Sequence, residues 1–242
     1  MKKAAAVIAV AGIVVIASIV GFLITNINSV VKNGIEVAGP QVLGVPVTVD
    51  EVKISILDGQ GVIKGLRVAN PDGFKSATAI SIDEMQVTID TGSLTSDKVH
   101  VKEVTIVAPS ITYEGNLLSS NISQLQKNVE STAVVVSEIG GETSSESEMT
   151  LQIDRLEVKD AQISVQLAFL DDPLSLVLPS LELTDLGKDE KASPGDVINE
   201  VLVGLNQSIV PLVRDNALDV GDKLKEVGDK IGEKLKGLFK RG

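Results

Sequence analysis

The 242-residue chain contains no cysteine, no tryptophan, one histidine, one tyrosine and four phenylalanines. Without cysteine there is neither a disulfide framework nor a thiolate nucleophile or ligand. A single histidine leaves no His/Cys set for zinc. Scarce aromatics and a formal charge of −11 remove both base stacking and phosphate attraction, the two supports of nucleic-acid binding. The missing tryptophan argues against a sugar-stacking platform. The expectation is therefore no metal, no cofactor and no nucleic-acid partner. What the chain has in quantity is aliphatic: hydrophobic residues make up 43% of it, ample for a core of Val, Ile and Leu. The length allows one or two domains.

The first extended feature is an uncharged run from Ala4 to Ile24, preceded by Lys2 and Lys3. As a helix rising 1.5 Å per residue it would span roughly 31 Å, one hydrocarbon core. It is longer than the apolar region of a cleaved secretory signal, and it leaves through FLITNINS without a small-residue cleavage pattern. Residues 1–25 thus read as a retained transmembrane anchor. The two lysines place its N-terminus in the cytoplasm and the bulk of the chain outside. In a two-membrane bacterium that means a single-pass inner-membrane protein with a periplasmic body.

Apolar Ile27, Val30, Val31 and Ile35 predict a short membrane-proximal helix over 26–44, ended by Gly39-Pro40. From Val45 the apolar period falls to two. Val45–Val49, Val52–Ile56, Val62–Val68, Ile80–Ile89, Val99–Val107 and Ile111–Tyr113 are separated by turn chemistry at Asp58-Gly59, Asn70-Pro71-Asp72-Gly73 and Thr91-Gly92-Ser93. This predicts a meander of antiparallel strands over 45–115, apolar on one face and polar on the other. Residues 116–149 read as a helix on Leu117, Leu118, Ile122, Leu125 and Val129, then an acidic flexible linker, GGETSSESE. A second β region follows over 150–187, with strands at Leu151–Val158, Ile163–Phe169, Leu174–Leu178 and Leu181–Leu183.

Residues 188–242 predict two amphipathic helices. Ser193 caps the first with Pro194 at its first position, and Val197, Val201, Leu205, Ile209 and Leu212 share a face. Pro211 bends or ends it. The second starts near Ala217 and carries Val220, Leu224, Val227, Ile231, Leu235 and Leu238 at spacings of three and four. Gly221, Gly228, Gly232 and Gly237 each weaken it by about 1 kcal/mol relative to Ala, so it needs a surface to lie on. Lys234, Lys236, Lys240 and Arg241 form a basic end that suits an anionic membrane surface or simply pairs with the helix dipole.

Four stretches share one eight-residue shape: VTVDEVKI from Val47, ISIDEMQV from Ile80, VHVKEVTI from Val99 and LQIDRLEV from Leu151. Asp50-Glu51 and Asp83-Glu84 raise the question of catalytic carboxylates. The other two copies hold Lys102-Glu103 and Asp154-Arg155 at the same place, so the pattern requires polarity and not acid. Two successive polar residues shift the strand by one position, which keeps its apolar side on one face only with a bulge, a bend or a corner. The only histidine, His100, sits on the polar side of the third copy and reads as a solvated strand residue. Gly59-Gln60-Gly61 lies between strands, where it cradles no phosphate at a helix start.

The stretch DGQGVIKGLRVANPDGF from Asp58, with GSLTSDKVHVKEVTIVAPSITYEGN, NISQL and LPSLELTDLG further on, resembles the AsmA-like proteins of the bacterial envelope. The likeness covers most of residues 45–187 and rests on strand pattern and turn residues. It implies a non-enzymatic, membrane-anchored periplasmic protein, mainly β with α: an N-terminal transmembrane helix, a curved antiparallel sheet forming a groove or half-barrel, and C-terminal amphipathic helices. Larger relatives are similar to bridge-like lipid-transfer proteins, which hold acyl chains against such a sheet. By that resemblance the lipid-facing candidates are Val47, Val49, Val52, Ile54, Ile82, Val87, Val101, Ile106, Ile153 and Leu156, and the implied partner is membrane phospholipid, with a role in envelope lipid handling or outer-membrane homeostasis. The alternative is a scaffold module that binds an envelope protein through the C-terminal helix.

Overall fold

The computed structural model describes residues 26–116, 119–139, 150–167, 172–189 and 191–239; for 95, 133–139 and 217–239 only the backbone is described. The apolar run at 4–24, Leu117, Leu118, the linker, Lys240 and Arg241 lie outside the described residues. Among the described residues no helix is long and apolar enough to cross a membrane.

The fold is mixed α/β and mainly β. Its strands are β1 (Val47–Thr48), β2 (Glu51–Ser55), β3 (Gln60–Ala69), β4 (Thr78–Ile89), β5 (Lys98–Val107), β6 (Ser110–Gly115), β7 (Thr150–Leu167) and β8 (Leu174–Leu186). All eight belong to one sheet. β1 and β2 form one edge against β3, β5 and β6 together fill the lane between β4 and β7, and β8 forms the other edge. All pairings within 45–115 are antiparallel, as expected there, but β7 runs parallel to β5 and β6, which corrects the expectation of an antiparallel sheet throughout. The segment between β6 and β7, including α2 (Asn121–Ile139), returns the chain to the end where β5 begins, and a strand entering from there runs parallel to it. The strands expected at 151–158 and 163–169 are one strand, β7, as far as Leu167, residues 168 and 169 lying outside the described residues, and those at 174–178 and 181–183 are one strand, β8.

These mergers have one cause. Along β7 the buried side chains are Ile153, then Leu156 and Val158, then Ala161, Ile163, Val165 and Leu167. The alternation slips twice, at Asp154-Arg155 and at Lys159-Asp160, without breaking the ladder to β8. The same slips recur on neighbouring strands at the same level and form two lines across the sheet. The first line joins Asp50-Glu51, Lys64-Gly65, Asp83-Glu84, Val107-Ala108, Lys159-Asp160 and Pro179-Ser180. The second joins Lys102-Glu103, Asp154-Arg155 and Thr184-Asp185.

Backbone conformation marks both lines: Gly65, Ala108 and Asp160 on the first and Asp185 on the second have φ between 50° and 61°. Because whole lines slip together, register survives and one face stays apolar. The four eight-residue copies supply four of the steps in these lines, Asp50-Glu51, Asp83-Glu84, Lys102-Glu103 and Asp154-Arg155. Each solves the slip locally. The first copy splits into β1 and β2, the second and fourth run through, and the third is a bulge opposite Thr88 and Ile89.

Helix α1 covers residues 26–43. It passes through Gly39-Pro40, correcting the expected stop, and ends on Gly44, whose φ of 67° turns the chain while its N–H donates to the Pro40 carbonyl at 3.0 Å. One side chain per turn of α1 serves the edge strand. Asn28 Oδ1 accepts from Ile54 N at 2.8 Å, Lys32 Nζ donates to the Asp50 carbonyl at 3.0 Å, and Glu36 Oε1 accepts from Val49 N at 3.0 Å. An edge that would otherwise offer free backbone groups to another chain is thereby closed.

The third helix, α3, is a single helix from Pro194 to Phe239 with Pro211 inside it, where two helices were expected. Pro211 and Gln207, whose carbonyl loses its partner, are both exposed, so water can serve that carbonyl. Ser193 caps the helix as expected: its Oγ accepts from Asp196 N at 3.2 Å, and its N–H donates to the Asp196 carboxylate at 2.8 Å.

Candidate functional site

The ten aliphatic candidates do converge on one face. Val47, Ile82, Val101, Ile106, Ile153 and Leu156 are buried in the main core. Val49 and Val52, with Ile54 beside them, form a second cluster against Val31 and Ile35 of α1. Val87, Leu66 and Met85 touch both clusters and make the face continuous. That face is covered by helices of the same chain. Ile122 and Leu125 of α2 and Ile209 and Val213 of α3 are all 0% exposed, and they share the core with Ile111, Tyr113, Ile163 and Val165 of the sheet. Gly204 of α3 meets β8 closely: a Cβ there would lie 2.7 Å from a methyl of Leu183.

Two polar side chains of α3 are incompletely paired. Asn199 and Asn206, two turns apart on α3, each have a buried side-chain oxygen without a hydrogen-bond partner. An unpaired buried amide oxygen costs about 1–3 kcal/mol. The leucines of β8 beneath the helix, Leu174, Leu176, Leu178, Leu181 and Leu183, are only partly buried.

On the opposite face the doubled polar steps form a charged band. Asp50 holds Arg67 through two bonds of 2.9 and 3.0 Å, and Lys64 meets Glu84 at 3.1 Å. Arg155 bridges Glu103 at 3.2 Å and Glu182 at 3.1 Å, joining β5, β7 and β8. The guanidinium of Arg67 holds the Asp50 carboxyl below its usual range, and Lys64 does the same for Glu84. Of the acids that suggested catalysis, Asp50 and Glu84 are thus cross-strand partners, and Glu51 pairs with Lys53 on its own strand at 2.9 Å.

His100 is half-buried rather than fully solvated. Its Nε2 lies 2.7 Å from Asp154 on β7, and its Nδ1 lies 3.8 Å from Asp90 after β4. The bond to His100 is the main cause that holds Asp154 below the usual carboxylate range. With both ring nitrogens facing carboxylates, neither is directed at a nucleophile. Among the described residues no group of three His, Asp or Glu side chains could hold a metal. An open hollow of about 390 Å³ at the start of α3 includes Asp196 and Glu200. Asp196 is engaged by Ser193, and Glu200 accepts from Gly187 N at 3.0 Å.

Sequence reasoning missed a buried clasp at the far end of the sheet. Glu114 on β6, 7% exposed, accepts from the backbone N–H of Lys75 at 2.5 Å and of Ser76 at 3.0 Å. Asn121, at the start of α2 and fully buried, accepts from Glu114 N at 2.9 Å and donates to Asn70 Oδ1 at 2.8 Å and to the Thr112 carbonyl at 2.7 Å. The available signal was polar residues beside turns, Asn70-Pro71 and Ser120-Asn121, in a chain whose core is otherwise aliphatic. Of the basic residues proposed for a membrane surface, Lys234 and Lys236 lie on α3, described there by backbone alone.

No known protein family has a model that matches this chain, and no curated protein matches it significantly. The resemblance of residues 45–187 to AsmA-like proteins therefore rests on strand pattern and turn residues alone.

Proposed function

We propose that this is a non-enzymatic, single-pass inner-membrane protein of the AsmA-like type with a periplasmic body, and that it works as a structural and interaction module of the cell envelope. The observation that carries this reading is the covered apolar face. A groove for acyl chains needs open aliphatic surface, whereas here α2 and the first part of α3 fill the sheet with side chains at 0% exposure. The sheet and its cover then form a rigid body held beside the membrane, and the remainder of α3, residues 217–239, is the candidate surface for an envelope protein.

The test is a truncation after Asn216, which keeps the covering residues up to Val213. The thermal transition should stay within a few degrees of the full chain, while crosslinks to envelope proteins in intact cells disappear. Unchanged crosslinks would overturn the assignment of the partner surface. A periplasm-dependent reporter fused after Gly242 should be active, and an inactive fusion would overturn the orientation.

A second reading, lipid handling on the curved apolar face, is favoured by one observation. The two unpaired oxygens of Asn199 and Asn206 burden the very helix that covers that face. A cover seated at a cost is one that a phospholipid could displace, each buried methylene contributing about 0.8 kcal/mol. Native mass spectrometry of gently extracted protein separates the two readings: a phospholipid-bearing species supports displacement, and a lipid-free chain supports the closed module.

A further inference from the structure

Among the described residues, the exposed leucines lie at one end of the sheet. The turn between β2 and β3 carries Leu57, 96% exposed, and the turn at Thr91–Thr95 carries Leu94, also exposed. The two turns are neighbours, because Ile89 N donates to the Gly59 carbonyl at 2.7 Å and a Cβ on Gly59 would lie 3.2 Å from the Thr91 methyl. The first turn is also tied to the start of α1, where Asn28 accepts from Ile54 N at 2.8 Å. Asn28 is four residues beyond Ile24, the end of the uncharged run, about 6 Å along a helix.

The acids in these turns are bound within them: Asp58 by the Ser55 hydroxyl at 2.6 Å and Asp90 by Gly92 N at 3.0 Å. Among the described residues of the opposite end, 70–76, 116 and 119–120 expose no large apolar side chain. Single exposed leucines are ordinary on protein surfaces. Two on adjoining turns, beside the point where the chain would leave a bilayer, have an occupant at hand.

We propose that the Leu57 turn, with Leu94 beside it, inserts into the headgroup–acyl boundary of the bilayer that holds residues 4–24. This second contact sets the tilt of the sheet on the membrane. Leucine on a turn suits that depth, because its side chain enters the acyl region while the polar backbone of the turn stays among headgroups. The proposal rests on the anchored reading above and adds a lipid contact outside the anchor.

The absence of cysteine makes the test direct. Leu57→Cys and, at the opposite end, Asp72→Cys are each labelled with the fluorophore NBD in the full chain. The proteins are then reconstituted into vesicles of phosphatidylethanolamine and phosphatidylglycerol. Residue 57 should show blue-shifted emission and quenching by nitroxide-labelled lipid, and residue 72 neither. Flotation with the vesicles reports the anchor separately. A chain that floats while residue 57 emits like residue 72 overturns the second contact and leaves the anchor standing. A chain that does not float overturns both.

Discussion

At residue scale the most informative position is Gly65, whose φ of 61° lies opposite Asp50 on one side and level with Asp83 on the other. Asp185 holds the equivalent conformation, φ 57°, level with Asp154. The two should respond in opposite ways. Gly65→Ala should cost about 1–2 kcal/mol, because a Cβ in this conformation crowds the backbone and here also meets the Asp50 carboxylate. Asp185→Gly should leave stability unchanged to within about 1 kcal/mol or raise it. Urea unfolding of both variants checks the pair.

The acids of the steps are expected to matter less than the aliphatics between them. Glu51→Gln and Glu84→Gln remove exposed pairs to Lys53 and Lys64 and should each change stability by less than about 1 kcal/mol. Val49→Asp buries a charge where 2% of the residue is exposed and should cost roughly 3 kcal/mol or more. The pH dependence follows from Asp50, Glu84 and Asp154, all held below their ordinary values. A carboxyl with a lowered folded-state pKa stabilises fully above its unfolded value and loses that contribution as pH falls through the folded one. The urea midpoint should therefore hold from pH 7 down to about 5 and fall below about pH 4. Asp154→Asn should flatten part of that fall.

At the scale of elements, the question is what seats the helices. Asn121 joins α2 to β6 and to the loop at Asn70 through three bonds. Asn121→Ala strands three partners, Glu114 N in a buried setting and Asn70 and the Thr112 carbonyl in half-buried ones, and should cost about 2–4 kcal/mol, read as a lower urea midpoint with unchanged slope. On α3 the expectation reverses. Asn206→Leu removes an unpaired buried oxygen and should raise stability by about 1–2 kcal/mol. If lipid displaces this helix, the same variant should also hold less phospholipid in native mass spectra. The helical periodicity of residues 197–213 is plain in the sequence. The choice of the sheet as the surface beneath it is not, because an amphipathic stripe shows that a helix needs cover without showing which surface supplies it.

At the scale of the whole molecule, two edges are handled differently. The β1–β2 edge is closed by Asn28, Lys32 and Glu36, residues whose even spacing was visible but whose target was not. The sheet's two ends also differ, one carrying Leu57 and Leu94 and the other the Glu114–Asn121 clasp. If the first end faces the membrane, α3 starts there beside Gly187 and Leu151 and runs along β8 away from it. Residues 217–239 then extend toward the far end, where an envelope partner rather than the anchoring bilayer is within reach. Spin labels at 72 and 57 in oriented bilayers should place residue 72 farther from the lipid; equal depths would contradict this orientation.

Strand periodicity, turn chemistry, the Ser193 cap and the aliphatic face were all legible in the chain, because each depends on residues within a few positions of one another. The doubled polar steps were visible too, including the reason that Lys102-Glu103 can stand where Asp83-Glu84 does. Their alignment into lines across the sheet was not, since Val107-Ala108 and Pro179-Ser180 carry no charge and join only through register. Tertiary structure alone decided that β7 lies parallel to β5, that α2 and α3 fill the apolar face, and that His100 stands between Asp90 and Asp154. Each of those depends on contacts between distant parts of the chain, and local physics leaves several such arrangements equally well patterned.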